Sequence, residues 1–262
     1  MKHRQILDKL AAPVHVRALD EDLARWVGWQ MSGARHTHSD LERAVLPPVL
    51  TRWRCLLDAT DTSPVTRDKV WVALATLLHR YGLADGAVTA RALAAVDELN
   101  RDVVLSDAFA RHAPAIKDFL RSPPTPLARR PRQPRTMTLL RPGDVVCVQL
   151  DAHFHAAFVR DVVGAHERPV IEFYAGRFRR PPSLEQLHGR AAARERGQAR
   201  FAVGGLVHLP DPANQVLALA AGHPEPPLGA DPGPGEGLYT LTDSIRLQRT
   251  MATLFHAAPL EG

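Results

Sequence analysis

At 262 residues, 45% hydrophobic and 23% charged, the chain has the make-up of a folded globular protein, long enough for two ordinary domains or one large one. Its formal charge of +5 comes from Arg far more than Lys, and leaves acidic proteins and nucleic acids both open as partners. Two cysteines far apart, Cys55 and Cys147, exclude a disulfide scaffold, and no apolar run approaches the roughly 18 residues of a membrane span.

The N-terminus reaches acidic residues before any long apolar core, so it does not read as a secretory signal. The stretch 1–122 reads as an all-α helical domain of five or so amphipathic helices. Asp20 precedes Leu23, Trp26, Val27 and Gln30 at helical spacing. Ser39-Asp-Leu-Glu42 is a capping box, and Pro47 and Pro48 are expected to stop that helix. Pro48 then suits the first turn of the next helix, whose stripe is Val49, Leu50, Trp53, Leu56 and Leu57. The clearest helix begins at Thr66. It places Val70, Trp71, Leu74, Leu77, Leu78 and Tyr81 on one face, with Gly82 as its stop. Thr89 opens another, with Leu93, Val96 and Leu99. A last helix carries Phe109, Ile116, Phe119 and Leu120, and Pro114 is expected to split it into two pieces.

The segment 123–135 holds five Pro and four Arg and no acid. It reads as an extended linker of polyproline character, either a solvated spacer or a basic arm for RNA or DNA. Aromatic residues for base stacking are absent from it.

The stretch 136–262 reads as a β-rich domain with one helix. Pro142-Gly143-Asp144 makes a turn. Val145–Leu150, His155–Val163 and Val170–Tyr174 then alternate with polar breaks, the pattern of an antiparallel meander. Ser183-Leu-Glu-Gln is a capping box opening a helix to about Arg196. Phe201–Leu209 and Gln215–Ala221 read as strands. A long Pro/Gly loop, Gly222–Gly237, follows, and then a final hairpin or strand over Leu238–Thr242 and Ile245–Leu247. The fold expected is therefore α+β: helices first, then a small SH3-like barrel.

No Gly-rich phosphate loop, GxSxG or HExxH is present. Asp151, His153 and His155 could supply metal ligands from one strand face, or simply form a hairpin tip. Cys147 with His153 or His155 allows a Cys/His hydrolase of the amidase type, against which stands a buried, inert Cys147 in a core strand. Arg177, Arg179 and Arg180, with Tyr174 and Phe178, form the densest basic and aromatic region, and Arg190, Arg194, Arg196 and Arg200 follow. Such a surface suits an acidic protein face or a phosphate backbone, or is only a solvated face.

The stretch Leu140–Leu187 resembles immunity proteins of bacterial polymorphic-toxin systems, nearest the immunity family numbered twenty-six. The likeness rests on Gly143-Asp144, the strand Val145–Leu150, the aromatic strand Phe154–Gly164 and Val170–Tyr174. The resemblance implies a non-enzymatic protein that binds a cognate toxin and blocks it. Composition and the lack of a signal or span lead to the expectation of a reduced, soluble, cytoplasmic protein, and no cofactor or metal is expected. Tyr174, Arg177, Phe178, Arg179 and Arg180 are the anchor candidates, with His153 and His155 beside them. A nucleic-acid-binding protein using the linker and barrel is the alternative.

Overall fold

The computed structural model describes residues 1–32, 38–101, 105–132, 134, 137–194, 200–223, 225–229 and 239–261. Its contacts divide the chain into two compact units, Met1–Pro134 and Arg135–Gly262. The first is helical and the second mixed, an α+β architecture. Among the described residues no helix is long and apolar enough to cross a membrane.

The helical unit is built on α4 (Pro64–Arg80), which touches α1 (His3–Lys9), α2 (Pro13–Gln30), α3 (His38–Leu57), α5 (Gly86–Arg101) and α6 (Asp107–Arg121). The Ser63 side chain caps α4 by accepting from Thr66 N at 3.3 Å, and Pro64 supplies a preset first turn. From Val72 to Leu78 every residue is buried. A helix buried on all sides belongs at the centre of its bundle. Gly82 ends it at φ +73°, and a Cβ there would meet the backbone of Thr125 and Pro126 at 2.9 Å. Thr125–Leu127 therefore pass against the end of α4, with Thr125 and Pro126 still exposed. Arg129, Arg130 and Arg132 beyond it are exposed.

The prolines do not break the helices as expected. α3 runs for 20 residues with Pro47 and Pro48 inside it, and α6 for 15 with Pro114 inside it. In each the apolar stripe continues through the proline. Leu41, Val45, Val49, Trp53 and Leu56 are buried along α3, as are Phe109, Ala113, Ile116 and Leu120 along α6. Pro47 and Pro114 are exposed, so the carbonyl each leaves without its N–H partner lies toward water. Burial of the opposite face outweighs the lost bonds. The Ser39 side chain of the expected capping box lies outside the described residues. α1, which sequence spacing did not reveal, buries Ile6 and Leu7.

Inside this unit sits a charged hub. Asp22 is 3% exposed. Its Oδ2 accepts from Arg52 Nε at 2.6 Å and from Trp53 Nε1 at 3.0 Å, and Arg25 Nη1 lies 3.7 Å from Oδ1. This ties α2 to α3 through groups that water cannot reach.

The second unit is one mixed sheet. Its path is β6 (Val216–Ala220), β1 (Val145–Leu150), β2 (His153–Val163), β3 (Arg168–Phe173), β5 (Arg200–Gly204) and β7 (Thr240–Asp243). Two short strands, β4 (Arg177–Phe178) and β8 (Leu260–Glu261), join it at β2. The expected meander is present: β1, β2 and β3 pair antiparallel in sequence order. Its opening turn is fixed by Gly143 at φ +92° and by Asp144, whose Oδ2 accepts from Arg141 N at 2.7 Å. Gly143 N and Asp144 O clamp both polar groups of Val159 on β2, at 2.9 and 2.8 Å.

The sheet is not closed. Among the described residues β6 and β7 form its two ends and do not pair, and β5 and β7 run parallel. The expected helix from Ser183 is cut to α7 (Leu184–Leu187). Its capping box forms as read, with Ser183 and Gln186 bonding reciprocally at 2.9 and 3.3 Å. The chain then turns at Gly189 (φ +67°) to pair with the sheet, where Ala175 N donates to Ala191 O and Ala193 N to Phe173 O. Arg196 and most of the Pro/Gly loop (224 and 230–237) lie outside the described residues, as does Leu238. The expected strand at Ile245–Leu247 is instead the start of α8 (Ser244–Leu254). Asp243 caps it, accepting from Ile245 N and Arg246 N at 3.0 Å.

Replacing Asp22 by Ala removes the acceptor shared by Arg52 and Trp53 in a dry site. Urea unfolding of the helical unit, followed by tryptophan fluorescence, should show a loss of about 3–5 kcal/mol. A loss within surface-substitution range would mean the hub is not structural.

Candidate functional site

The candidate residues converge at the corner where β2 meets β4. Strand alternation decides which of them can act together. Val146, Val148, Ala157, Val159, Ile171 and Phe173 face α8 and pack on Leu247, Met251 and Phe255. Val145, Ala156, Phe158, Tyr174, Phe178 and Leu187 form a second cluster on the other face. Cys147 stands opposite Ala156, and His155 opposite Val148. Residues directly opposite share a face, so Cys147 and His155 point to opposite sides of the sheet. The two cannot make a thiolate–imidazole pair. Cys147 is fully buried, and burial pushes its thiol up to about 12. Such a thiol is inert.

His155 is 3% exposed and stacks on Phe255 with ring centroids 4.2 Å apart. Burial lowers its pKa to about 4, and the charges of His153 and Arg177 act in the same direction, against a hydrogen bond with the Gly176 backbone. Its Nδ1 is buried without a hydrogen-bond partner, as is Arg177 Nε. One is an acceptor and the other a donor in a neutral His155, so the corner carries two unmet polar atoms of opposite kind. His153 sits half-buried at the start of β2, opposite Leu150. Asp151 lies in the hairpin turn at φ +53°. Among the described residues no group of three or more His, Cys, Asp or Glu converges as metal ligands.

The expected aromatic anchors are core residues instead. Tyr174 is 1% and Phe178 2% exposed. The Tyr174 hydroxyl donates to Glu225 O at 2.8 Å. Arg190 lies over the Phe178 ring, 5.0 Å from its centroid, and forms a two-pronged pair with Glu261, whose carboxyl it holds below the usual range. Gly176 makes this possible, since a Cβ there would come within 2.9 Å of Arg190 Nη1. Arg190 is thus committed inside the unit. Arg179 and Arg180 are exposed, just beyond β4, where Arg179 N donates to Glu261 O at 3.1 Å.

Sequence reasoning missed Glu172. It is fully buried on β3, between Arg160 of β2, which bonds Oε2, and Arg200 of β5, 3.7 Å from Oε1. Burial raises its pKa, and Arg160, Arg200 and Arg194 act against that rise. The signal was available: one acid in the apolar run Val170–Tyr174 demands a partner.

Two measurements check this geometry. In folded protein carrying Cys55→Ser, iodoacetamide at about pH 8 should leave Cys147 unmodified until denaturant is added. Native-state labelling would reopen the nucleophile. For His155, an unfolded His titrates near 6.5, well above the folded value of about 4. The unfolded chain therefore takes the proton first. Stability is fully present above about pH 6.5 and falls as pH drops toward 4, by up to about 3 kcal/mol. His155→Phe should remove that part of the slope in urea titrations of the second unit, and an unchanged slope would place the effect elsewhere.

The chain matches no family model, no curated protein sequence and no solved structure.

Proposed function

We propose that this is a non-enzymatic binding protein of the toxin-immunity kind, acting in the cytoplasm, with the β2–β4 corner as its contact surface. The supporting observation is the exposed pair Arg179 and Arg180. No ion pair holds either side chain among the described residues, whereas neighbouring Arg190, Arg160 and Arg200 serve Glu261 and Glu172. Free guanidinium groups on a rigid strand end suit an acidic protein face, where they speed encounter and fix orientation. The meander that carries the likeness to immunity proteins supplies that rigid base, its strands buried on both faces. The SH3-like barrel belongs to the same reading, as an open relative of such a barrel. With the aromatic rings inside, recognition is led by charge.

The test is a pull-down of the tagged protein from its native cells at moderate salt, joined to a protection assay against the toxin encoded beside it. One stoichiometric protein partner, with Arg179→Glu/Arg180→Glu weakening binding by about tenfold or more at an unchanged melting temperature, is the expected result. No protection and no protein partner would end this reading. Nucleic acid that washes off with salt would shift the contact to exposed Arg129, Arg130 and Arg132.

A further inference from the structure

The helical unit has a groove of its own, about 970 Å³, at the corner of α1 and α2. Leu7, Ala12, Val16 and Phe119 give it an apolar lining. The charges along it are uneven. Lys2, Arg4, Arg17 and Arg80 line it against Asp8 and Asp20. Asp8 is taken by Arg4 at 3.6 Å and Asp20 by Arg80 at 2.9 Å, while Arg17 is held by Glu21 at 2.9 Å. Asp20 also accepts from the Tyr81 hydroxyl at 2.7 Å, so its charge is shared. With Glu21 counted, four cations face three acids, an excess of one charge beside an apolar trough.

At the Phe119 end stands a directed chain of hydrogen bonds. Ser122 Oγ lies 2.6 Å from Phe119 O, an atom that can only accept, so the hydroxyl proton goes there. Ser122 Oγ must then accept from His79 Nε2 at 3.2 Å. That puts a proton of His79 on Nε2, and His79 Nδ1 lies 3.1 Å from His3 Nε2. The order Ser–His–His superficially suggests a nucleophile, but the protons run the wrong way, and Ser122 caps the C-terminal end of α6. His3 also hydrogen-bonds the His79 backbone. His3 and His79 also pack on Phe119, at centroid distances of 4.9 and 4.3 Å. Both imidazoles are less basic than usual, chiefly through burial, and Arg80 adds to this at His3.

We propose that this groove binds an amphiphilic carboxylate, its acyl chain along Leu7, Ala12, Val16 and Phe119 and its headgroup at Arg80 and His3. The volume is that of a small-molecule site, and an apolar wall with a few convergent polar groups is the usual build of one. Arg80 bonds Asp20 through Nη1, and the other N–H groups of its guanidinium suit a second carboxylate. The His3 ring takes up a proton when the anion arrives, because a neighbouring negative charge favours the imidazolium. The charged groups around the histidine pair are Arg80 of α4, Asp20 of α2 bound to Arg80, and Lys2 and Asp8 beside or within α1. On α6, Asp118 and Arg121 pair with each other at 3.4 Å. Affinity therefore rises as pH falls through the range where free His3 is neutral and the carboxylate is still ionised.

The experiment is calorimetric titration of the full chain with dodecanoate below its micelle concentration, with methyl dodecanoate as the uncharged control. The expected result is one site, with the acid bound about tenfold or more tighter than the ester. Binding should tighten between about pH 7.5 and about pH 6, and His3→Gln should abolish that tightening. Arg80→Gln should cost about tenfold. Val16→Glu, at a half-buried groove position, should cost as much without touching the hydrogen-bond chain. Absence of binding, equal binding of acid and ester, or affinity unmoved by both Arg80→Gln and Val16→Glu would overturn the proposal.

Discussion

Strand β2 is covered on both faces, and the second unit depends on that. A strand so placed cannot slip by one residue without exchanging two cores. Its odd positions from His155 to Val159 meet α8, while Phe154, Ala156 and Phe158 meet α7 and β4. The same alternation separates Cys147 from His155 and puts His155 against Phe255. It also places Arg160 where it reaches Glu172. Each polar residue of the corner is positioned by the packing of its apolar neighbours.

The helical unit uses the opposite device. There α4 is buried on all sides from Val72 to Leu78, and the buried ionic groups are gathered at a few points. Asp22 holds α2 to α3, and Asp20 joins α2 to α4 through Arg80 and Tyr81. A charge buried with its partners adds little net stability, but loss of one partner leaves the other unpaired in a dry site, which is costly. Both units thus combine apolar burial with a buried ionic hub, Asp22 in one and Glu172 in the other.

Much of the architecture was legible in the chain. Val145–Leu150 matches β1 at both ends, since a β-branched run between a Gly-Asp turn and Asp151 permits little else. The Ser183 capping box was visible, but not the length of its helix, because Ala191–Ala193 are recruited by the backbone of Phe173 and Ala175. Local signals carry no record of such long-range bonds. The prolines misled for the same reason, since the buried stripe through Val45, Val49 and Trp53 outweighs a penalty read one residue at a time. Ile245–Leu247 looked like strand from its side chains, although Asp243 stood where a helix cap belongs. Within the candidate site, Arg179 and Arg180 lie on the surface. Tyr174 and Phe178 do not, because an aromatic residue beside arginines reads alike whether the arginine is in water or lies over the ring.

The parallel pairing of β5 with β7 joins Phe201 to Thr240 across a long intervening segment. The hairpins β1–β2 and β2–β3 close short loops and form with little loss of chain entropy. The β5–β7 ladder has no such advantage, and its edge is added only after the meander exists to receive it. The helical unit is rich in contacts between consecutive helices, among them α4 with α5 and α5 with α6. Chain topology therefore favours the local helix pairs and hairpins ahead of the long-range ladders β5–β7, β1–β6 and β4–β8. Until β7 docks, β5 is an open edge, and that interval is when the chain is most exposed to pairing with the wrong strand.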